Sequence, residues 1–131
     1  MILGVGTDIV NIKRVRDIYL KFPDLFAKKM LSNQELKAYT ALNDDKKVHY
    51  LAKRFAAKEA IAKAIGVGIG SIGLKNISIL NNNLGKPYVT IPSYMANRYF
   101  LLTDETILRI EISLSDEKNY AIAFVVIWKD A

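Results

Sequence analysis

Residues 54–65 read Arg-Phe-Ala-Ala-Lys-Glu-Ala-Ile-Ala-Lys-Ala-Ile, a helix whose charges fall where a buried helix should be apolar. Leu51, Phe55, Ala62 and Ile65 share one stripe at helical spacing. Lys58 lies within that stripe and Glu59 beside it, while Ala52, Ala56, Ala57, Ala60 and Ala64 make much of the remaining surface small and apolar. A carboxylate and several cations on a largely buried helix are costly unless a metal, a ligand or a partner charge satisfies them. For the helix alone, a solvated Glu59–Lys63 pair at i, i+4 with Lys58 reaching to water is the alternative. A second carboxylate distant in sequence tips the balance towards a site.

The 131 residues suffice for one ordinary domain, residues 1–131, with a core that needs no staples. Half the residues are hydrophobic and a quarter charged, a globular composition. The chain has no cysteine, which excludes disulfides, thiolate zinc sites and a cysteine nucleophile. Its single histidine, His49, argues against a Ser-His-Asp triad and a multi-histidine metal site. A divalent metal would therefore be oxygen-ligated and Mg²⁺-like. The first residues lack the basic region of a signal peptide and the C-terminal apolar run is too short to span a bilayer, so a cytoplasmic protein is expected. Residues 1–65 hold 13 Lys/Arg against 7 Asp/Glu, which places the whole net charge of +6 in that half. Such asymmetry fits an acidic partner or a polyphosphate ligand, and equally a lysine-rich solvated surface.

Along the chain, an apolar glycine-rich strand over residues 2–7 ends at Thr7-Asp8, and a short helix over 11–20 carries Lys13, Arg14 and Arg16. Ser32 and Glu35 form a capping box that opens a helix to about residue 42. Residues 43–45 break it, and the long alanine-rich helix runs from about 47 to 65. Gly68-x-Gly70-x-x-Gly73 has the letters of a dinucleotide fingerprint but follows a helix and precedes a strand, the reverse of what phosphate binding requires. Strands are predicted at 76–80 and 87–91, a helix capped by Ser93 at 94–102, and a hairpin of strands 108–115 and 120–128. The strand over 108–115 alternates apolar and polar residues, so one face is wet. Early helices and late antiparallel strands define an α+β class.

Three separated segments require a common explanation. Gly4-Val5-Gly6-Thr7-Asp8-Ile9-Val10 followed by Arg14 places a carboxylate before a basic helix. Phe55-x-x-Lys58-Glu59-Ala60-x-x-Lys63-Ala64 supplies the second carboxylate, and Ile112-Ser113-Leu114-Ser115 before a turn supplies hydroxyls and Asp116. With Leu31-Ser32-x-x-Glu35-Leu36 and Leu84-Gly85-Lys86-Pro87 in the same order, the chain resembles, nearly end to end, the holo-acyl-carrier-protein synthases, the small type of 4′-phosphopantetheinyl transferase.

The resemblance implies that fold, with an antiparallel sheet packed on a long buried helix. It also implies a reaction of fatty acid biosynthesis. The phosphopantetheine arm of coenzyme A passes to a serine of an acidic acyl carrier protein, and adenosine 3′,5′-bisphosphate leaves. By position, Asp8 and Glu59 correspond to the Mg²⁺ ligands and Lys63 to a contact with the coenzyme A phosphates that assists departure of the bisphosphate. Lys58 is a second candidate for the phosphates, or else orients Glu59. Arg54 corresponds to the nucleotide end, and Gly85-Lys86-Pro87 to the segment beside the adenine, though as residues alone they read as a turn. Lys13, Arg14 and Arg16 correspond to the face that docks the carrier protein. A homotrimer with clefts between protomers is implied as well.

One departure stands out: the family commonly has histidine where this chain has Asp116. That aspartate could accept the serine proton through water, join the metal, or serve as a turn residue. His49, at the start of a helix, is expected to lie elsewhere, so water at the metal is expected to activate the serine, with Asp116 as a helper. A basic nucleic-acid-binding module is the reading from another class, but the tyrosines are not interleaved with the basic residues as a stacking platform requires. Neither nucleic acid nor membrane is expected as a partner. Two further readings are a member that binds coenzyme A without catalysis and one serving carrier domains of a specialised pathway.

Overall fold

The computed structural model describes residues 1–100 and 107–130. Its elements run β1 (Ile2–Asn11), α1 (Ile12–Lys21), α2 (Pro23–Met30), α3 (Asn33–Thr40), α4 (Asp44–Ile65), α5 (Ile69–Ile72), a 3₁₀ turn at Leu74–Asn76, β2 (Ser78–Asn81), β3 (Pro87–Thr90), α6 (Ser93–Phe100), β4 (Ile107–Asp116) and β5 (Tyr120–Asp130). The strands form an antiparallel three-stranded sheet in the order β1-β5-β4 and a separate β2-β3 hairpin. The α+β class and the long helix against an antiparallel sheet are thus as expected.

Helix α4 is the axis of the molecule. Asn43 caps it by accepting from the Lys46 N–H, and Gly66 ends it in the left-handed conformation at φ 92°. Its alanines 52, 56, 57, 60, 62 and 64 are all buried, because β1 and β5 cover one side and α1, β4 and α5 pack against others. Close approach to β1 depends on two glycines. A Cβ on Gly4 would fall 1.8 Å from the Ala64 carbonyl oxygen, and one on Gly6 the same distance from that of Ala60. β5 completes the contact with Ala121, Ala123, Val125 and Ile127, all fully buried. Since α4 is enclosed on several sides, its apolar residues do not gather on one face.

Several boundaries differ from the sequence reading. β1 continues through Asp8 to Asn11, paired with β5 throughout, so Asp8 lies within a strand and not at its end. Residues 43–45 start α4 rather than only breaking α3, since Asn43 is the cap and Asp44 and Asp45 complement the helix dipole. Helix α2 was not foreseen; Pro23 at its first turn and the basic pair Lys28 and Lys29 at its last were its available signals. Asn76 belongs to the 3₁₀ turn, and β2 starts at Ser78. The helix predicted over 94–102 is observed at Ser93–Phe100, and its predicted end lies outside the described residues.

Candidate active site

Strand β1 and helix α4 bring Asp8 and Glu59 to one cleft of about 290 Å³, shared with Asn11, Arg14, Phe26 and Phe55. The two carboxylates come from residues 51 apart in sequence and meet only because Gly6 and Ala60 let strand and helix touch. Burial and the neighbouring Asp8 charge push the Glu59 carboxyl above its ordinary value, and Lys63 offsets them in part. Lys63, one turn after Glu59, donates to Asp8 Oδ1 at 3.2 Å and to the Thr7 carbonyl at 3.0 Å. Two hard oxygen donors that repel each other, with a lysine at the rim, fit a Mg²⁺-sized ion that keeps water and phosphate ligands. Among the described residues no third His, Cys, Asp or Glu joins them.

A second cleft of about 440 Å³ opens towards the N-terminal end of α4, lined by Lys46, His49, Tyr50, Lys53, Arg54, Asn81 and Asp116 among others. His49 is not elsewhere: its Nδ1 lies 2.6 Å from Asp116 Oδ2, and Lys53 Nζ is 3.6 Å from Asp116 Oδ1. Asp116 does not join Asp8 and Glu59 among the described residues; β4 ends it beside α4, next to His49 and Lys53. Arg54 is only 3% exposed, its Nε donating to the Ile79 carbonyl at 3.3 Å and its guanidinium lying 3.9 Å from the Tyr50 ring centre. Asn81 pairs with Pro87 in the β2-β3 hairpin, so the Gly85-Lys86-Pro87 turn closes the hairpin whose other strand lines this cleft. Gly85 needs its φ of 83°, and Lys86 forms an exposed ion pair with Glu111 at 3.3 Å.

Lys58 corrects the sequence reading most sharply. It is fully buried and points away from both clefts, with its three ammonium donors on the Met30 carbonyl (2.7 Å), Glu35 Oε1 (2.6 Å) and the Leu74 carbonyl (2.9 Å). No donor is left for a phosphate. Burial lowers its ammonium pKa, and the Glu35 carboxylate opposes that shift. The partner was hidden in the sequence because Glu35 already had a role as the capping residue, which it also performs: Ser32 N–H donates to Oε1 at 2.9 Å.

On α1, Lys13 and Arg14 are exposed, Arg16 is half-buried, and Arg14 borders the Asp8–Glu59 cleft. Ile18 and Leu20 on α1, Phe22 between the two helices and Leu25 on α2 stand exposed alongside, giving a basic and apolar face next to the carboxylates. Among the described residues no helix is long and apolar enough to cross a membrane.

A two-carboxylate cleft with a lysine beside it, joined along one helix to a cationic cleft, on this α+β frame, defines a phosphate-handling transferase. Residues 4–125 match the 4′-phosphopantetheinyl transferase superfamily. The chain is 46% identical over 130 residues to the holo-[acyl-carrier-protein] synthase of Ehrlichia canis (strain Jake), covering 98% of this chain and 95% of that protein. It superposes on the crystal structure of the holo-[acyl-carrier-protein] synthase of Neisseria meningitidis with a TM-score of 0.83 at 40% identity, covering 98% and 99% of the two chains. For the Bacillus anthracis holo-(acyl-carrier-protein) synthase in complex with CoA (3′,5′-ADP), the TM-score is 0.77 at 30% identity, covering 100% and 99%. The chain belongs to the holo-[acyl-carrier-protein] synthases, a family of 4′-phosphopantetheinyl transferases.

Proposed function

We propose that this enzyme transfers the 4′-phosphopantetheine arm of coenzyme A to a serine hydroxyl of apo acyl carrier protein, with Mg²⁺, and releases adenosine 3′,5′-bisphosphate. The observation that carries the reading is the pairing of Asp8 with a Glu59 whose carboxyl is pushed up by burial and by Asp8, in a cleft that also holds Arg14. Asp8 and Glu59 would hold the ion, which supplies charge neutralisation on the pyrophosphate oxygens. Lys63, free to swing from Asp8 to an incoming phosphate, balances the charge that builds on the departing bisphosphate. Arg54, with Lys46, Lys53 and His49, receives the nucleotide end, and the Gly85-Lys86-Pro87 turn lies beside the adenine. Asp116 orients His49 and Lys53 there, which leaves activation of the carrier serine to groups in the Asp8–Glu59 cleft.

The basic stretch Lys13, Arg14 and Arg16, with the exposed apolar residues of α1 and α2, is read as the docking face for the acidic carrier protein. It delivers the serine to the cleft that Arg14 borders. The chain is a single domain acting in cytoplasmic fatty acid biosynthesis, as a homotrimer whose contacts cover the outer face of the sheet. On that face Val5, Ile9, Ile122 and Phe124 are 53%, 61%, 43% and 46% exposed, more apolar surface than a free sheet keeps open to water.

Mass spectrometry of apo acyl carrier protein after incubation with coenzyme A and Mg²⁺ tests the reaction. The wild type is expected to add the mass of one phosphopantetheine arm. Glu59→Gln is expected to lower the rate by about two to three orders of magnitude, as loss of a group that stabilises transferring phosphate does. An unmodified carrier, with a folded enzyme that binds coenzyme A, would refute the reaction for this substrate.

A further inference from the structure

Arg54 is a buried guanidinium with no carboxylate against it: among the described residues it makes no ion pair. Such a group is costly unless an anion completes it, and its direction is then set by its neutral neighbours. There are two of these, the Ile79 carbonyl at 3.3 Å from Nε and the Tyr50 ring at 3.9 Å from the guanidinium carbon. Both lead back to one residue. Glu35 Oε2 accepts the Ile79 N–H at 3.0 Å, fixing the peptide strand that presents the carbonyl, and the Glu35 main-chain carbonyl accepts the Tyr50 hydroxyl at 3.1 Å. Glu35 in turn is immobilised by the Lys58 ammonium, which stands on α4 one turn after Arg54 and is fully buried.

We infer that Glu35 is a positioning residue for Arg54: clamped by Lys58, it sets both the carbonyl and the aromatic ring that aim the guanidinium into the cationic cleft on α4. Glu35 reaches no substrate; its contribution to nucleotide binding passes through Arg54. This rests on the reading of Arg54 as a contact of the coenzyme A nucleotide. It also accounts for an ion pair that neither the metal cleft nor the cationic cleft uses. A shape-matched apolar pair could fill the space between α2, α3 and α4, but it would leave the Ile79 N–H without its acceptor.

The test is calorimetric titration of adenosine 3′,5′-bisphosphate, with KM and kcat for coenzyme A measured in parallel and thermal melts to verify folding. Arg54→Gln is expected to weaken binding about 10- to 100-fold, the loss of a charge-assisted contact. Glu35→Gln, and the milder Tyr50→Phe that removes only the hydroxyl, are each expected to weaken it about three- to tenfold, raising KM with kcat unchanged. In the Arg54→Gln background neither is expected to weaken it further, since residues that act through one group are not additive. The same loss in both backgrounds would overturn the inference, showing a merely structural role. Weaker binding in Arg54→Gln with wild-type binding in Tyr50→Phe and Glu35→Gln would overturn it while leaving the nucleotide reading intact. Unchanged binding in Arg54→Gln would overturn both. If Glu35→Gln does not fold, Tyr50→Phe alone decides by the same comparison.

Discussion

Glu59 stands where its own charge is costly. Its carboxyl in the folded protein has a pKa raised by burial and by Asp8, with Lys63 compensating only in part. In the unfolded chain it titrates at the ordinary value. Above both values the ionised group therefore subtracts from stability, and as pH falls through the raised folded value the fold takes up a proton first and recovers that stability. Without Mg²⁺, Glu59→Gln is accordingly expected to be more stable than wild type at neutral pH, by about 0.5 to 1 kcal/mol, as relieving functional-site strain commonly gives. The difference should shrink as pH is lowered towards the ordinary carboxylate range. Thermal melts from pH 7.5 to pH 4.5 check this; a Glu59→Gln protein less stable at neutral pH would mean that Lys63 outweighs both burial and Asp8. Lys58, the adjacent residue, shows the opposite economy: its charge is wholly matched by Glu35 and two carbonyls, so it touches no phosphate itself.

At the scale of elements, the contact between β1 and α4 makes the site. Gly6 leaves room for the Ala60 carbonyl, and the next outward steps along strand and helix are Asp8 and Glu59. Gly6→Ala would place a Cβ 1.8 Å from that backbone oxygen and 2.9 Å from the Ala64 nitrogen, with no flexible side chain to give way. It is expected to cost about 3 kcal/mol or more, as overpacking against backbone does. The carboxylates should separate too, so Mg²⁺-dependent turnover should fall further than the loss of folded protein explains. Urea denaturation alongside activity per folded enzyme measures both; Gly6→Ala with wild-type stability would mean that α4 yields freely. The hairpin β4-β5, the capping box and the misplaced charge of Glu59 were legible in the sequence, because alternation, caps and a charged alanine helix are local signals, whereas Asp8 was paired with Glu59 only through the family resemblance. The meeting of His49 with Asp116, 67 residues apart, was not, since it depends on where β4 ends against α4. Helix α2 escaped for a related reason: its buried residues are only Ala27 and Met30, too few for a periodic stripe.

For the whole molecule, the outer face of the sheet is the remaining imbalance. The inner face of β5 is sealed by α4, while Ile9, Ile122 and Phe124 stand side by side across β1 and β5 on the other face. That face runs directly into the cleft proposed for the nucleotide, because Ile9, Tyr120 and Ile122 share a cleft with Ser115 and Asp116, and Asp116 also lines the Arg54 cleft. Copies of the chain packed on the sheet would therefore wall the nucleotide cleft as well as bury the patch. Assembly and coenzyme A binding should then fail together. Phe124→Glu puts a charge amid that apolar face without touching α4, at a position where the isolated protomer is indifferent to it. Light scattering is expected to find a trimer for wild type and a monomer for Phe124→Glu. Its circular dichroism should be unchanged and its affinity for coenzyme A at least tenfold weaker. A monomeric wild type with full activity would show that the sheet face has another use, and a monomeric Phe124→Glu that binds coenzyme A normally would confine each nucleotide cleft to one chain.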